Sequence, residues 1–198
     1  LMETTIENIE FEAGGLNHFS ILLRAKYKDS GEDGYPLIKK NFDDYYSNLV
    51  NDHEGFYSNP GAERGLFFEL FKKYGYLPIT TDSHLGEYLP WAYSVVDHDG
   101  ILDFYDKYKK RCLSFYSNDG YDQFFDMSHP DPHERAIPII ESIVDDSNML
   151  EHAVNIKNDN FIKCLPNDVV VEVPATINKT GVHGKALEDY PNSFGALL

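Results

Sequence analysis

Apolar residues alternate near both ends of this 198-residue chain and recur at helical spacing in its middle, an order that leaves few architectures open. Over residues 18–27, Phe19, Ile21 and Leu23 alternate with Ser20, Leu22 and Arg24, the two-residue period of a strand. β-Branched runs over residues 153–156 and 169–177 predict two more strands, separated by Asn158, Asp159 and Asn160 and then Pro166-Asn167. Between them lie helical stretches. One opens at Pro36, after a turn rich in Asp29, Gly31, Asp33 and Gly34, and runs to about Leu49. A second has Asn59 as N-cap and Pro60 near its first position. Leu66, Phe67, Leu70, Phe71 and Tyr74 share one face, and Gly75 stops it. Strands at both ends with helices between predict an α+β fold with a mixed or antiparallel sheet, and not the regular alternation of a doubly wound one.

Further along, residues 101–117 read as helix and residues 120–127 as a short helix or irregular stretch. Asp131, Pro132 and Glu134 form a capping box for a helix with Ala136, Ile137, Ile140, Ile143 and Val144 on one face, kinked early by Pro138. Residues 77–94 have neither period, yet hold Asp82, Ser83, His84, Glu87, Tyr88, Pro90 and Trp91, and a loop so dense in polar and aromatic groups is where function concentrates. No repeat, linker or low-complexity segment interrupts the chain, so residues 1–198 read as one domain.

Composition removes several functions. With 33 acidic against 17 basic residues the net charge is -16, a field that repels phosphate backbones, so no nucleic-acid partner is expected. Apolar runs too short to span a bilayer and a start unlike a secretory signal predict no membrane partner and a cytoplasmic location. Cys112 and Cys164 lack C-x-x-C spacing and are expected to be buried thiols. Aromatic residues make up 14% of the chain, and their helical spacing places most of them in the core.

The chemistry concentrates at Ala13-Gly14-Gly15-Leu16-Asn17-His18-Phe19, read as a Gly-rich turn that sets His18 at the head of an apolar strand, where a metal site can be anchored. This segment and three others in order resemble glycoside hydrolase family 4, the NAD- and manganese-dependent α-glucosidases, α-galactosidases and α-galacturonidases. The others are Glu69-Leu70-Phe71-Lys72-Lys73-Tyr74-Gly75-Tyr76, Ser83-His84-Leu85-Gly86-Glu87-Tyr88-Leu89-Pro90-Trp91, and Val169-Val170-Val171-Glu172-Val173-Pro174-Ala175. The Ser-His-x-x-Glu-Tyr-x-Pro-Trp pattern is closer to the α-galactosidase and α-glucosidase branches than to the 6-phospho-glycosidases.

The resemblance implies a C-terminal lobe similar to that of lactate and malate dehydrogenases. It also implies a glycosidase outside the two-carboxylate scheme, working by oxidation, elimination, addition and reduction. By resemblance His18 matches the metal-ligand position; Asn17 beside it is placed to hold a sugar hydroxyl, and His84 and Glu87, in a loop that also carries Tyr88 and Trp91, are expected to contact an α-glycoside. The cofactors implied are Mn2+ and NAD. The Gly-rich dinucleotide fingerprint is absent from these 198 residues, so the NAD site is expected elsewhere and the chain alone is expected to be inactive. Self-association, or association with a dinucleotide-binding lobe, is expected. The catalytic base is not assigned; Tyr57, Glu63 and Arg64 lie near the relevant position. The alternative is a stand-alone binding or oligomerisation module with the same fold. His129, His133 and Glu134 are not read as ligands, because Glu134 serves the capping box with Asp131 and Pro132 and His129 lies before that helix begins.

Overall fold

Two strands joined by the tightest of hairpins open the molecule: β1 (Ile9–Leu16) and β2 (Phe19–Tyr27) pair antiparallel around the two residues Asn17 and His18. His18, the second of the two, adopts a left-handed backbone, φ 65°, a region in which histidine is enriched among residues other than glycine. The computed structural model describes residues 1–51, 64–117 and 135–198. After the hairpin come α1 (Tyr35–Asn51), α2 (Gly65–Tyr74), the two-residue β3 (Leu77–Pro78), α3 (Asp82–Tyr88), a 3-10 turn (Pro90–Ser94) and α4 (His98–Ser117). Then follow α5 (Ala136–Asp145), β4 (Met149–Lys157), β5 (Val170–Asn178), β6 (Gly181–Gly184) and α6 (Asn192–Gly195). The sheet runs β3-β2-β1-β5-β4, with β6 on β5, and every pairing is antiparallel. This is the α+β arrangement that the order of periods predicts.

The expected Gly-rich turn is instead the end of β1. Gly14 and Gly15 lie in the strand because the chain passes too close there for a side chain. A Cβ on Gly15 would run into the Phe19 carbonyl and lie 2.9 Å from the Ser20 Cα; one on Gly14 would lie 2.8 Å from the Glu172 carbonyl. Gly15 stands between Ser20 and Glu172 in adjacent strands, and lets their side chains meet.

Aromatic rings make much of the core, as their spacing predicts. Phe42 of α1 packs its ring 3.9 Å from that of Phe71 and stacks on Phe68 of α2. Phe194 of α6 is fully buried between Phe19, Tyr74 and Tyr76, which closes the C-terminal segment over the hairpin. Gly75 ends α2 with φ 74° and its N–H on the Phe71 carbonyl.

Three further expectations need correction. Residues 77–94 are not an aperiodic loop: Asp82, Leu85 and Leu89 are buried at helical spacing, and the period is masked because its first member is a carboxylate. That carboxylate is spent on backbone. Its two oxygens accept from the N–H groups of Leu66 and Phe67, both at 2.9 Å, and of Asp97 at 3.2 Å, so the start of α3 caps the start of α2. On α5 most of the expected face is turned outward, and of its large side chains Ile143 packs inward. Ile137, Ile140 and Val144 are exposed, while Ile139 and Ile143 pack toward Val154 and Ile177, and Ser142 donates to the Ile177 carbonyl. Neither cysteine is buried: Cys112 is half-buried and Cys164 exposed, both as free thiols. Asn59, Pro60, residues 120–127 and the 131–134 capping box lie outside the described residues, and β6 has no counterpart in the sequence reading.

Candidate metal centre

The hairpin tip and α3 meet. His18 comes from the tip, and His84 and Glu87, three apart and hence neighbours on one face of α3, come from the helix. One donor atom from each of the three lies within 4.8 Å of the other two. The imidazole rings of His18 and His84 sit with centroids 4.1 Å apart, tilted by 45°. His84 Nδ1 is buried and has no hydrogen-bond partner among the described residues, a state that costs about 1–3 kcal/mol unless something outside the protein meets it.

Two contacts hold the hairpin to the helix. The Tyr88 hydroxyl donates to the Asn17 carbonyl at 2.6 Å, and its ring packs 5.3 Å from that of Phe19. Burial pushes the Tyr88 pKa up, and the negative charges of Glu87 and Glu172 push the same way. Beneath the tip, buried Ser20 donates to Glu172 Oε1 at 2.7 Å across Gly15. The Glu172 carboxylate is thereby fixed in mid-sheet, on β5.

Two imidazoles and a carboxylate form a mixed nitrogen and oxygen donor set suited to a first-row divalent ion, manganese included. Three protein donors leave coordination positions for water or substrate, the open arrangement of catalytic rather than structural sites. The unmet Nδ1 of His84 is the observation that fits the group: a nitrogen withdrawn from solvent and from protein partners is one an ion can use.

His18, His84 and Glu87 are thus brought together, and Asn17 lies beside them at the exposed tip. Arg64 is committed to structure. It donates to the Thr80 carbonyl at 3.0 Å and lies over the Phe67 ring. Tyr57, Glu63, His129, His133 and Glu134 lie outside the described residues. Sequence reasoning missed Asp82, Ser20 and Glu172. The signal for Glu172 was on view, a lone carboxylate inside an unbroken apolar strand.

The model of the family 4 glycosyl hydrolase C-terminal domain matches residues 13–198. The chain belongs to glycosyl hydrolase family 4. An α-glucosidase from Erwinia rhapontici is 40% identical to this family 4 chain over 225 aligned positions, which cover 100% of it and 47% of the relative. An α-galacturonidase from Thermoanaerobacter italicus is 30% identical over 94 positions, 46% of this chain and 20% of the relative. Among solved structures, lplD of Bacillus subtilis, described as a glucosidase, superposes with a TM-score of 0.71 at 22% identity, over 96% of this chain and 45% of that one. A 6-phospho-α-glucosidase from gut microorganisms, in complex with NAD and Mn2+, superposes with a TM-score of 0.63 at 19% identity, over 98% and 45%. At those identities the structural likeness shows the fold. The family 4 chain spans about half the length of its Erwinia relative. Among the described residues no helix is long and apolar enough to cross a membrane.

Proposed function

We propose that this chain supplies the metal-binding and sugar-facing part of a family 4 glycosidase that acts on α-glucosides or α-galactosides. The observation that carries the reading is the convergence of His18, His84 and Glu87 at the tip of the hairpin. By resemblance to the family, the cofactors supply a hydride acceptor, NAD, and Lewis-acid stabilisation of charge at the sugar C2 and C3 oxygens, Mn2+. This chain's residues do the holding. His18 and His84 would ligate the ion, Glu87 would lie between ion and sugar, and the Asn17 side chain would meet a sugar hydroxyl. Tyr88 fixes the hairpin against α3, which sets the distance between the two histidines. The dinucleotide is bound outside these residues, and the chain works in association with the lobe that binds it or with further copies of itself. The apolar side chains of Ile137, Ile140 and Val144 exposed on α5 support such an association. Its place of action is the cytoplasm.

The test is a graft. Placed in the corresponding part of the Erwinia rhapontici α-glucosidase, the chain is expected to support NAD- and manganese-dependent hydrolysis of an aryl α-glucoside, and the His18→Ala graft to lose it. Hydrolysis by the chain alone, without added NAD, would contradict the proposal. The second reading, a binding or oligomerisation module without chemistry, is favoured if the graft folds, binds manganese and stays inactive.

A further inference from the structure

Next to the metal cluster, and sharing Glu87 with it, lies an open cleft of about 380 Å³ between α3, the 3-10 turn and the first turn of α4. That volume is at the small end of the roughly 300–1,000 Å³ of ordinary ligand sites, room for a sugar ring and its water rather than for a dinucleotide. Glu87 belongs to both places: it lines the cleft and offers a donor atom to the His18 and His84 cluster. We infer that this cleft seats a neutral sugar ring, the unit next to the one at the metal, and selects against phosphorylated and carboxylated sugars. The inference rests on the glycosidase reading above.

Its walls match one ligand chemistry. Pro90, Tyr93, Val96 and Ile101 give apolar surface for the C–H faces of a pyranose, and Glu87 gives an acceptor for its hydroxyl edge. Tyr93 is held in place, because His98 Nε2 donates to the Tyr93 carbonyl at 2.6 Å and the two rings lie 4.5 Å apart. Gly86 lets the Val96 wall close up on α3 from within a helix, where glycine is otherwise unfavourable: a Cβ there would lie 3.2 Å from Val96 Cγ2.

The charge is as telling. No lysine or arginine lines the cleft among the described residues. The Asp82 carboxylate at its base is filled by three backbone N–H groups, so Glu87 is the carboxylate left to face a ligand. At the start of α4 the Asp97 carboxylate accepts from the Gly100 N–H at 3.0 Å, and Asp82 stands in the first turn of α3, so acidic side chains already occupy both helix starts at the cleft. A phosphate or a uronate would therefore face Glu87 in a chain of net charge -16 with no cation to receive it.

The experiment is amide NMR of the full 198-residue chain, titrated first without metal with methyl α-D-glucopyranoside, glucuronate and glucose 6-phosphate, and separately with Mn2+. The neutral glycoside is expected to shift the amides of Gly86, Tyr93, Val96 and Ile101, and the two charged sugars to shift them at several-fold higher concentration or not at all. Tyr93→Ala should weaken the glycoside several-fold; Tyr93 is 77% exposed, so the fold does not depend on it. Glu87→Ala, which removes the acceptor for the hydroxyl edge, should weaken the glycoside likewise. Absence of shifts with the neutral sugar, equal response to glucose 6-phosphate, or no effect of either variant would overturn the inference. Paramagnetic broadening by Mn2+ around His18 and His84 reads the metal proposal separately, so sugar shifts without broadening would leave the cleft standing and remove the metal site.

Discussion

The Tyr88 hydroxyl reaches 2.6 Å across from α3 to the backbone carbonyl of Asn17, and so ties the helix that carries His84 to the hairpin tip that carries His18. Neither residue's type announces that role, since the acceptor is main chain. Removing the hydroxyl leaves the ring's packing on Phe19 intact. Tyr88→Phe is therefore expected to change the melting temperature little, the net worth of one such bond being about 0.5–1.5 kcal/mol, while weakening manganese binding several-fold. Calorimetric titration beside a thermal melt separates the two effects.

Asp82 is the larger structural dependence. Its fully buried carboxylate serves three backbone N–H groups, two from α2 and one from Asp97 just before α4, and truncation leaves them without partners. Asp82→Ala should cost about 2–4 kcal/mol in urea unfolding, and Asp82→Asn less because one acceptor oxygen remains.

Gly15→Ala should fold poorly even though the added group is a single methyl. The Cβ would meet the Phe19 carbonyl and crowd the Ser20 Cα, so β1 and β2 would have to part where Ser20 reaches Glu172. Circular dichroism melts should show a loss larger than for Gly31→Ala, where the new Cβ meets open space and the cost is confined to a left-handed backbone of φ 71°.

Tyr35 gives the fold an alkaline limit. Burial raises its hydroxyl from the ordinary 10.0 to about 12, and the hydroxyl donates to the Leu22 carbonyl and accepts from the Leu77 N–H at 3.3 Å. Between those values the unfolded chain gives up its proton and the folded one keeps it. Stability is thus full below pH 10.0 and lost as pH rises toward 12, by about 1.4 kcal/mol per unit. Urea midpoints measured across that range should fall in the wild type and less steeply in Tyr35→Phe.

Much of this molecule was legible because burial and period agree where side chains are apolar. Phe19, Ile21, Leu66, Phe67, Leu70 and Phe71 announced their elements, and Gly75 its helix end. Reading failed where a polar group does an apolar group's job. Asp82 hid α3, and on α5 the buried position between Ile139 and Ile143 is the polar Ser142, while Ile137, Ile140 and Val144 point outward. Gly14 and Gly15 looked like a turn because a close strand approach selects the same residue as a reversal does. Of the site, His18, His84 and Glu87 were named from their segments, but their meeting depends on how a two-residue hairpin and a helix sixty residues later are tied together, and no local pattern encodes that.

The most direct test of the account is titration of the chain with Mn2+, followed by electron paramagnetic resonance, beside His18→Ala and His84→Ala. The account predicts one ion per chain, with each substitution weakening it at least about tenfold while the fold is kept. Binding unchanged in both variants, or no binding by the wild type, would contradict it.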